Sequence, residues 1–148
     1  MRRKADESLR LDNQVCFAVY AAGHAFTRAY KPLLGKLGLT YPQYLVMLLL
    51  WEHDGPTMRE IGERLHLDSG TLTPLLKRLE TMGLVHRARL PEDERQLRVT
   101  LTDKGRALRE AAADVPRAIG CASGLAPDEA KRLRHELVAL QAALARAQ

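Results

Sequence analysis

A run of leucines in the middle of the chain constrains its fold most. Leu72, Leu75, Leu76 and Leu79 recur at i, i+3, i+4 and i+7, which places them on one helix face and predicts that this face packs onto a core. The opposite face offers short polar and cationic side chains, which suit base edges and phosphates better than bulk water. They are Ser69, Thr71, Thr73, Lys77 and Arg78. Residues 68 to 80 therefore predict a helix for a DNA groove, and Pro74 should lie close after its start or bend it.

The residues around this helix predict a helix-turn-helix. Asp68 or Ser69 can cap its start, and Gly83 tolerates the left-handed backbone that often ends a helix. Upstream, Thr57-Met58-Arg59-Glu60 has the form of a capping box and opens a shorter helix, which a two-residue link joins to the second one. Two short helices with such a turn are typical of DNA-binding proteins.

A β-hairpin is predicted directly after the second helix. Residues 84 to 89 and 97 to 102 have the pattern of strands, and the second strand alternates apolar and polar residues without a break. The polar residues 90 to 96 form the loop between them. A charged hairpin that follows a recognition helix indicates a wing, and Arg89 at the end of its first strand is a candidate DNA contact.

The charge balance agrees with a polyanionic partner without specifying one. The 148 residues are enough for one domain with a core, and they carry a formal net charge of +5. Between residues 69 and 91, Lys77, Arg78, Arg87 and Arg89 stand against Glu80 alone. On this pattern alone, these cations can also be ordinary solvated surface charges.

No export or membrane segment is expected. The basic start, residues 1 to 4, is followed by acidic residues where a signal peptide would be apolar. The longest apolar run, residues 44 to 51, is too short to span a bilayer. We therefore expect a cytoplasmic protein without a membrane partner, whose cysteines rest as thiols.

Apolar stripes near both ends of the chain predict a dimer. They lie on residues 12 to 30, on residues 107 to 115 and from residue 127 onward, and a flexible break is expected at residues 120 to 124. One small domain cannot cover all three stripes, so intertwined terminal helices of two chains are the economical solution. Two recognition helices one DNA turn apart would then bind a pseudo-palindromic operator in double-stranded DNA.

The expected architecture is a single domain over residues 1 to 148. It is mainly helical with a small β-hairpin, in which residues 41 to 102 form a winged helix-turn-helix lobe. Residues 9 to 36 and 103 to 148 supply the helices that form the intertwined dimer.

Enzyme and metal motifs are absent from the sequence. It has no glycine-rich phosphate loop, no nucleophile elbow and no HExxH, and the five histidines are scattered without ligand spacing. We therefore expect no catalytic residues, no metal and no cofactor.

Cys16 lies beside tyrosines in the first third of the chain. Tyr20 is one helical turn away, Tyr30 is farther along the same helix, and Tyr41 opens the next helix. One interpretation is a small buried cysteine beside aromatic core residues. The other is a sensor thiol: if the helix begins at residue 12 or 13, the sulfur lies near its first turn, where the helix dipole favours a thiolate.

The wing resembles that of the MarR family of winged-helix transcription regulators. The matching residues are Asp93-Glu94-Arg95, which lead into Val99-Thr100-Leu101-Thr102-Asp103-Lys104-Gly105. The length of the chain and the order of its elements also agree. The resemblance implies that Arg95 reaches into the minor groove and that Asp93 fixes the wing.

A finer resemblance is to the OhrR branch of that family, repressors that sense organic hydroperoxides. It is carried by Cys16, Tyr20, Tyr30 and Tyr41, together with the run from residue 68 to residue 80. It implies that Cys16 is the peroxidatic residue and that Tyr30 and Tyr41 form hydrogen bonds to it. Cys121 makes the chain similar to the two-cysteine type, in which oxidation ends in a disulfide between subunits.

Two alternatives stay open at this point. A regulator of the same fold can bind a phenolic or aromatic acid between the dimerisation region and the winged helix, and Cys16 would then be a core residue. A thiol peroxidase would consume the peroxide itself, but it would leave the wing and the recognition helix without a role. Steady-state peroxide turnover separates a peroxidase from a sensor.

Overall fold

The computed structural model describes residues 7 to 148, which form a series of helices and one antiparallel hairpin. A 3-10 turn, Leu11–Asn13, precedes the first helix. The following elements are α1 (Val15–Gly35), α2 (Tyr41–Glu52), α3 (Met58–Leu65), α4 (Ser69–Thr81), β1 (Val85–Arg89), β2 (Leu97–Leu101), α5 (Asp103–Ala111), α6 (Val115–Ser123) and α7 (Pro127–Arg146). The chain divides into two compact units, Met1–Ala113 and Asp114–Gln148. The basic start used to exclude an export signal lies outside the described residues.

The leucine face of α4 is buried, as the periodicity predicts. Its four leucines are at most 9% exposed and pack in the core of the first unit. The Asp68 carboxylate accepts a hydrogen bond from the Thr71 amide at 2.7 Å, and Gly83 has φ +75° just beyond the helix. The helix starts five residues before Pro74 and continues through it. The mainly helical fold with a hairpin is thus confirmed.

The capping box of α3 is formed as expected. The Thr57 hydroxyl accepts from the Glu60 amide at 3.2 Å, and the Glu60 carboxylate accepts from the Thr57 amide at 2.8 Å. His66 ends the helix with a left-handed backbone, φ +55°. This residue turns the chain sharply into α4, which completes the helix-turn-helix.

The hairpin pairs Val85 with Leu101 at its base and Arg89 with Leu97 near its tip, within one residue of the predicted strand ends. Its base is fixed to the segment before α3. The Val99 amide donates to the Pro56 carbonyl at 2.9 Å, and the Leu101 amide donates to Asp54 Oδ1 at 2.8 Å. These two hydrogen bonds therefore anchor β2, and with it the wing, to the segment that precedes α3.

The junction between the wing and α5 holds the end of the recognition helix. The Thr102 hydroxyl donates to the Gly83 carbonyl at 2.6 Å and accepts from the Gly105 amide at 3.0 Å. The Lys104 ammonium donates to the Met82 carbonyl at 2.9 Å. Since these two carbonyls directly follow α4, the junction fixes where the helix ends relative to the wing.

Gly105 is packed too closely for any side chain. A Cβ atom built on it would lie 2.1 Å from the Leu84 carbonyl oxygen, and its own carbonyl accepts from Trp51 Nε1 at 2.9 Å. Backbone thus packs on backbone where α5 begins, which explains why a glycine occupies the third position of this helix.

Three helix boundaries differ from the sequence-based expectation. Helix α1 begins at Val15 and not at residue 12 or 13, because Gln14 is extended. The stripe on residues 107 to 115 does not lie on one helix, since α5 ends at Ala111 and α6 starts at Val115. The expected flexible break is wrong for residues 120 to 123, which are helical. Gly120 does not end the helix, because a single glycine only weakens a helix. The helix ends at Gly124, which has a left-handed backbone.

The terminal helices expose apolar side chains in the single chain. On α1, Phe17, Val19 and Phe26 are each about 40% exposed. On α7, Leu133 and Leu137 are exposed to the same degree. None of the helices formed by residues 7 to 148 combines the length and apolarity needed to cross a bilayer. These faces are large enough to favour a protein partner.

Candidate DNA interface and thiol site

The outer face of α4 presents the side chains that the sequence assigns to DNA. Those of Ser69, Thr71, Pro74, Lys77 and Arg78 are exposed, while Thr73 is half-buried. At the start of this helix, the hydrogen bond from the Thr71 amide lowers the pKa of Asp68. The Asp68 side chain is therefore held at the backbone as a cap, and it is the residues after it that face outward.

The wing tip is organised by Asp93. Its Oδ1 accepts from the Arg95 amide at 3.1 Å, and its Oδ2 accepts from Gln96 Nε2 at 3.4 Å. Arg95 Nε lies 3.5 Å from Asp93 Oδ1, yet the Arg95 side chain is 94% exposed. The aspartate thus closes the turn while the guanidinium projects from its tip, an arrangement that suits insertion into a narrow groove.

Two arginines of the hairpin are engaged within the lobe. Arg87 Nη2 lies 3.1 Å from Glu80 Oε1 and its side chain is only 17% exposed. The hydrogen bonds from Arg87 lower the pKa of Glu80. Arg89 donates to the Glu94 carbonyl across the wing. Fewer cations are therefore free on the surface between residues 69 and 91 than the sequence suggests, because Arg87 links β1 to α4 and Arg89 is hydrogen-bonded to the wing loop. A DNA contact by Arg89 stays a prediction.

A cleft of about 970 Å³ lies between the wing and the start of α4. Its walls include Arg59, His66 and Ser69 on one side and Arg95 and Gln96 on the other. Helix N-termini and arginines are common phosphate ligands in DNA complexes. The arrangement can thus hold a nucleic-acid backbone between a helix in one groove and an arginine in the next.

Three tyrosines form a cluster where α1 meets α2. The ring centroids of Tyr30 and Tyr41 are 4.7 Å apart, and that of Tyr44 lies 5.8 Å from Tyr30. Burial, together with repulsion from the other two phenols, raises the pKa of Tyr30 to about 12, and burial also raises the pKa of Tyr41. These phenols stay protonated near neutral pH, so they are hydrogen-bond donors. Sequence reasoning did not assign Tyr44 to the site, although it lies one turn after Tyr41.

Cys16 is the second residue of α1 and its side chain is exposed. The buried alternative is therefore wrong for the single chain. Tyr20 follows one turn later, and its ring contacts His24 edge-on with centroids 4.4 Å apart. The aromatic partner His24 was not anticipated, although the i, i+4 spacing indicates it.

One helix separates Cys16 from the tyrosine cluster. Helix α1 is continuous from Val15 to Gly35, and at 1.5 Å per residue the Cα atoms of residues 16 and 30 are about 21 Å apart. A hydrogen bond between Cys16 and Tyr30 of the same chain is therefore impossible. The structure brings Tyr30 and Tyr41 together, but not with the cysteine of their own chain.

Cys121 lies on α6 and its side chain is exposed. The expectation that it belongs to a loose loop is wrong, because the helix continues to Ser123. Cys16 and Cys121 form no disulfide with each other within the chain. Within residues 7 to 148, no three His, Cys, Asp or Glu side chains lie close enough together to hold a metal ion.

Known transcriptional regulators are similar to this chain. A family model described as transcriptional regulator SarA/Rot matches residues 28 to 111. The HTH-type transcriptional regulator TtmR of Methylorubrum extorquens (strain PA1) is 54% identical over 92% of this chain and 70% of its own length. The organic hydroperoxide resistance transcriptional regulator of Bacillus subtilis (strain 168) is 49% identical over 95% of both chains.

Solved structures of AbfR, a protein of Staphylococcus epidermidis, are also similar. Reduced AbfR bound to DNA matches with a TM-score of 0.79 and 44% identity over 96% of this chain and 99% of AbfR. AbfR with its disulfide formed matches with a TM-score of 0.63 and 41% identity over 95% of this chain and 98% of AbfR.

Proposed function

This chain belongs to the MarR/SarA-type winged-helix transcriptional regulators, and from that premise we propose that it is a repressor that leaves its operator when an organic hydroperoxide oxidises Cys16. It is a regulator of the OhrR type and not an enzyme, which removes the thiol peroxidase alternative. Beyond family membership, the proposal concerns three points: hydroperoxide as the signal, the roles of the two cysteines, and the conformational change that releases DNA.

The observation that carries the proposal is the position of the phenol donors relative to Cys16. Tyr30 lies about 21 Å along α1 from Cys16 of its own chain, and Tyr41 on α2 contacts the Tyr30 ring, so only a second chain can bring these phenols to the thiol. In a two-fold symmetric dimer every contact occurs twice, and each Cys16 would meet the partner's cluster. Protonated phenols can donate hydrogen bonds to a thiolate, which is the nucleophilic form of cysteine.

A dimer of the terminal helices also accounts for their exposed apolar faces. Phe17 and Val19 of α1 and Leu133 and Leu137 of α7 are each about 40% exposed in the single chain, and exposed apolar side chains of this size favour a protein partner. Covering them against a second copy would join residues 9 to 36 and 103 to 148 into the dimerisation region and leave residues 41 to 102 as the DNA-binding lobe. Two such lobes would bind a pseudo-palindromic operator.

The proposed redox chemistry has two balanced steps. The Cys16 thiolate attacks the distal oxygen of the hydroperoxide, the O–O bond breaks, and the alkoxide takes a proton and leaves as an alcohol, giving a sulfenic acid. The thiol of Cys121 from the other subunit then attacks the sulfenic sulfur, forming the disulfide and releasing water. AbfR, which has been solved both reduced on DNA and with its disulfide formed, supports such a cycle.

Disulfide formation would release DNA by moving helices. Both cysteines lie on helices, α1 and α6, so if their Cα atoms are more than about 7 Å apart in the reduced dimer, a bond between them would shift at least one helix as a unit. That shift would change the spacing of the two recognition helices, which a pair of half-sites fixes. The test is a mobility-shift assay on DNA that the reduced protein selects from a random duplex library, with and without cumene hydroperoxide. Retention of DNA after the intersubunit disulfide has formed contradicts the proposal.

Arg95→Ala is expected to weaken binding to the selected DNA by about 1–3 kcal/mol, because the exposed guanidinium at the wing tip would lose its groove contact. Lys77→Ala should weaken all sequences alike and flatten the salt dependence by about one phosphate contact. The exposed Arg109 on α5 gives the matched control, Arg109→Ala. Fluorescence anisotropy over a salt series measures all three, and equal affinity of the Arg95 and Arg109 variants rules out a wing contact.

Cys121→Ser is expected to prevent the covalent dimer. Hydroperoxide should convert the wild type to a disulfide-linked dimer on a non-reducing gel, which dithiothreitol reverses, whereas the variant should run as a monomer. Without a resolving thiol, its Cys16 should proceed to sulfinic or sulfonic acid. Intact mass spectrometry measures the added oxygens. If wild-type Cys16 gains oxygens as fast as the variant and forms no dimer, Cys121 has no resolving role.

A further inference from the structure

We propose that Gly70 and Pro74 form the base-reading surface of the recognition helix and that this surface selects thymine through its 5-methyl group. The inference rests on the proposed DNA-binding function and deepens it, since it assigns a base preference to one patch of α4. The name methyl-reading patch is used below for these two residues.

The two residues share the outermost face of α4. They are four positions apart, and each lies two positions, about 200° around the helix, from a buried leucine: Leu72 for Gly70 and Leu76 for Pro74. Both are exposed. When the leucine face packs on the core, the methyl-reading patch is therefore the part of the helix that goes deepest into a groove.

The fold itself does not require glycine at position 70. Its backbone is helical, without a positive φ, and an added Cβ would have Asp68 Oδ1 as its nearest neighbour at 3.4 Å, which is ordinary contact. Glycine costs up to about 1 kcal/mol relative to alanine in a helix interior, and less at the second helical position, where Gly70 lies. Since no neighbour within the chain excludes a side chain here, the absence of one serves close approach by something outside the chain.

Proline at position 74 is also unfavourable for the helix. It has no N–H to donate to the Gly70 carbonyl, and a proline in a helix interior costs about 3 kcal/mol. Its ring is exposed, so core packing does not offset this cost. Two destabilising residues one turn apart on the exposed face indicate that their surface is used for recognition.

The chemistry of the patch matches thymine. A bare backbone and a proline ring offer a smooth apolar surface without side-chain donors. In the major groove, the 5-methyl of thymine is the apolar group of the four standard bases. Ser69 and Lys77 at the borders of the patch remain available for phosphates.

The experiment compares operators that differ only in this methyl group. The wild-type protein selects DNA from a random duplex library, and each thymine of the selected site is then replaced by deoxyuridine. Burial of one methyl group corresponds to about a fourfold change in affinity, so we expect one or more positions per half-site at which the wild type binds deoxyuridine about fourfold more weakly. Pro74→Ala should bind the thymine and deoxyuridine forms alike at those positions.

Thermal stability gives a second readout, which should increase in the variants in which base discrimination decreases. Gly70→Ala and Pro74→Ala should each raise Tm, by about 2–4 °C or more, while they reduce discrimination between thymine and deoxyuridine. Arg109→Ala is the control and should retain the wild-type discrimination. Merely structural residues would lower Tm when replaced.

Three outcomes would overturn the inference. The first is wild-type affinity that is unchanged by deoxyuridine at every position. The second is a lower Tm for both variants. The third is a Pro74→Ala protein that still discriminates the methyl group as the wild type does. In each of these cases, the proposed DNA-binding function still holds if the wild type enriches a defined sequence from the random duplex library. Failure to enrich any sequence would contradict the DNA-binding function itself, and the inference would fail with it.

Discussion

Cys16→Ser is expected to fold, dimerise and bind operator DNA as the wild type does, but to stay bound at hydroperoxide concentrations at least about 100-fold above those that release the wild type. A serine hydroxyl is not ionised near neutral pH and does not attack the O–O bond, so the first step of the cycle is lost. Mobility shift over a hydroperoxide series measures the effect. Release of the variant at wild-type concentrations would mean that a bound ligand, and not oxidation, controls this regulator.

Mixed dimers test the second part of the same prediction. When a Cys16→Ser chain is paired with a Tyr30→Phe chain, the remaining Cys16 belongs to the Tyr30→Phe chain. If the phenol comes from the other subunit, this cysteine meets an intact Tyr30 and should oxidise at the rate of a wild-type site. Oxidation at the slower rate of the Tyr30→Phe homodimer would instead contradict the intersubunit arrangement inferred from the length of α1.

Gly105→Ala is expected to lower the free energy of unfolding by about 2–4 kcal/mol, because the new methyl would overlap the Leu84 carbonyl and force backbone apart. Urea denaturation followed by circular dichroism measures the change. Gly120→Ala on α6 is the matched control: a Cβ there has no neighbour within 4 Å, so better helix propensity should leave stability equal or higher.

DNA affinity should fall together with stability in Gly105→Ala. The displaced backbone belongs to the junction at which Thr102 and Lys104 hold the carbonyls after the recognition helix. A Gly105 variant with wild-type stability and affinity would show that the junction tolerates movement and does not fix the end of α4.

The sequence was sufficient to predict those parts of the fold that local physics determines. The leucine period placed α4 and its buried face, and the Thr57 capping box placed the start of α3. The hairpin followed from apolar and polar alternation on either side of a polar loop. Each signal depends on residues a few positions apart, so no tertiary information was needed.

Features that depend on tertiary contacts were missed. Counting charges included Arg87 in the basic excess between residues 69 and 91, but its ion pair with Glu80 removes it from the free cations of this surface. The helix break after Ala111 was hidden because alanine is the strongest helix former, so the alanine run gives no local signal for the end of a helix. The grouping of Cys16 with Tyr30 and Tyr41 as one candidate site stays a prediction, and the separation of Cys16 from Tyr30 along α1 emerges only from the length of a continuous helix.

In the proposed mechanism, that length also determines when the thiol can respond. A rigid helix keeps each Cys16 away from the phenols of its own chain, so an unpaired chain has no complete reaction centre. Sensitivity to peroxide then belongs to the assembled pair, and it should decline at chain concentrations below the dimer dissociation constant. A newly synthesised chain would thus be spared this oxidation until it has dimerised. The same dimerisation step would therefore enable both the response to peroxide and binding to the operator.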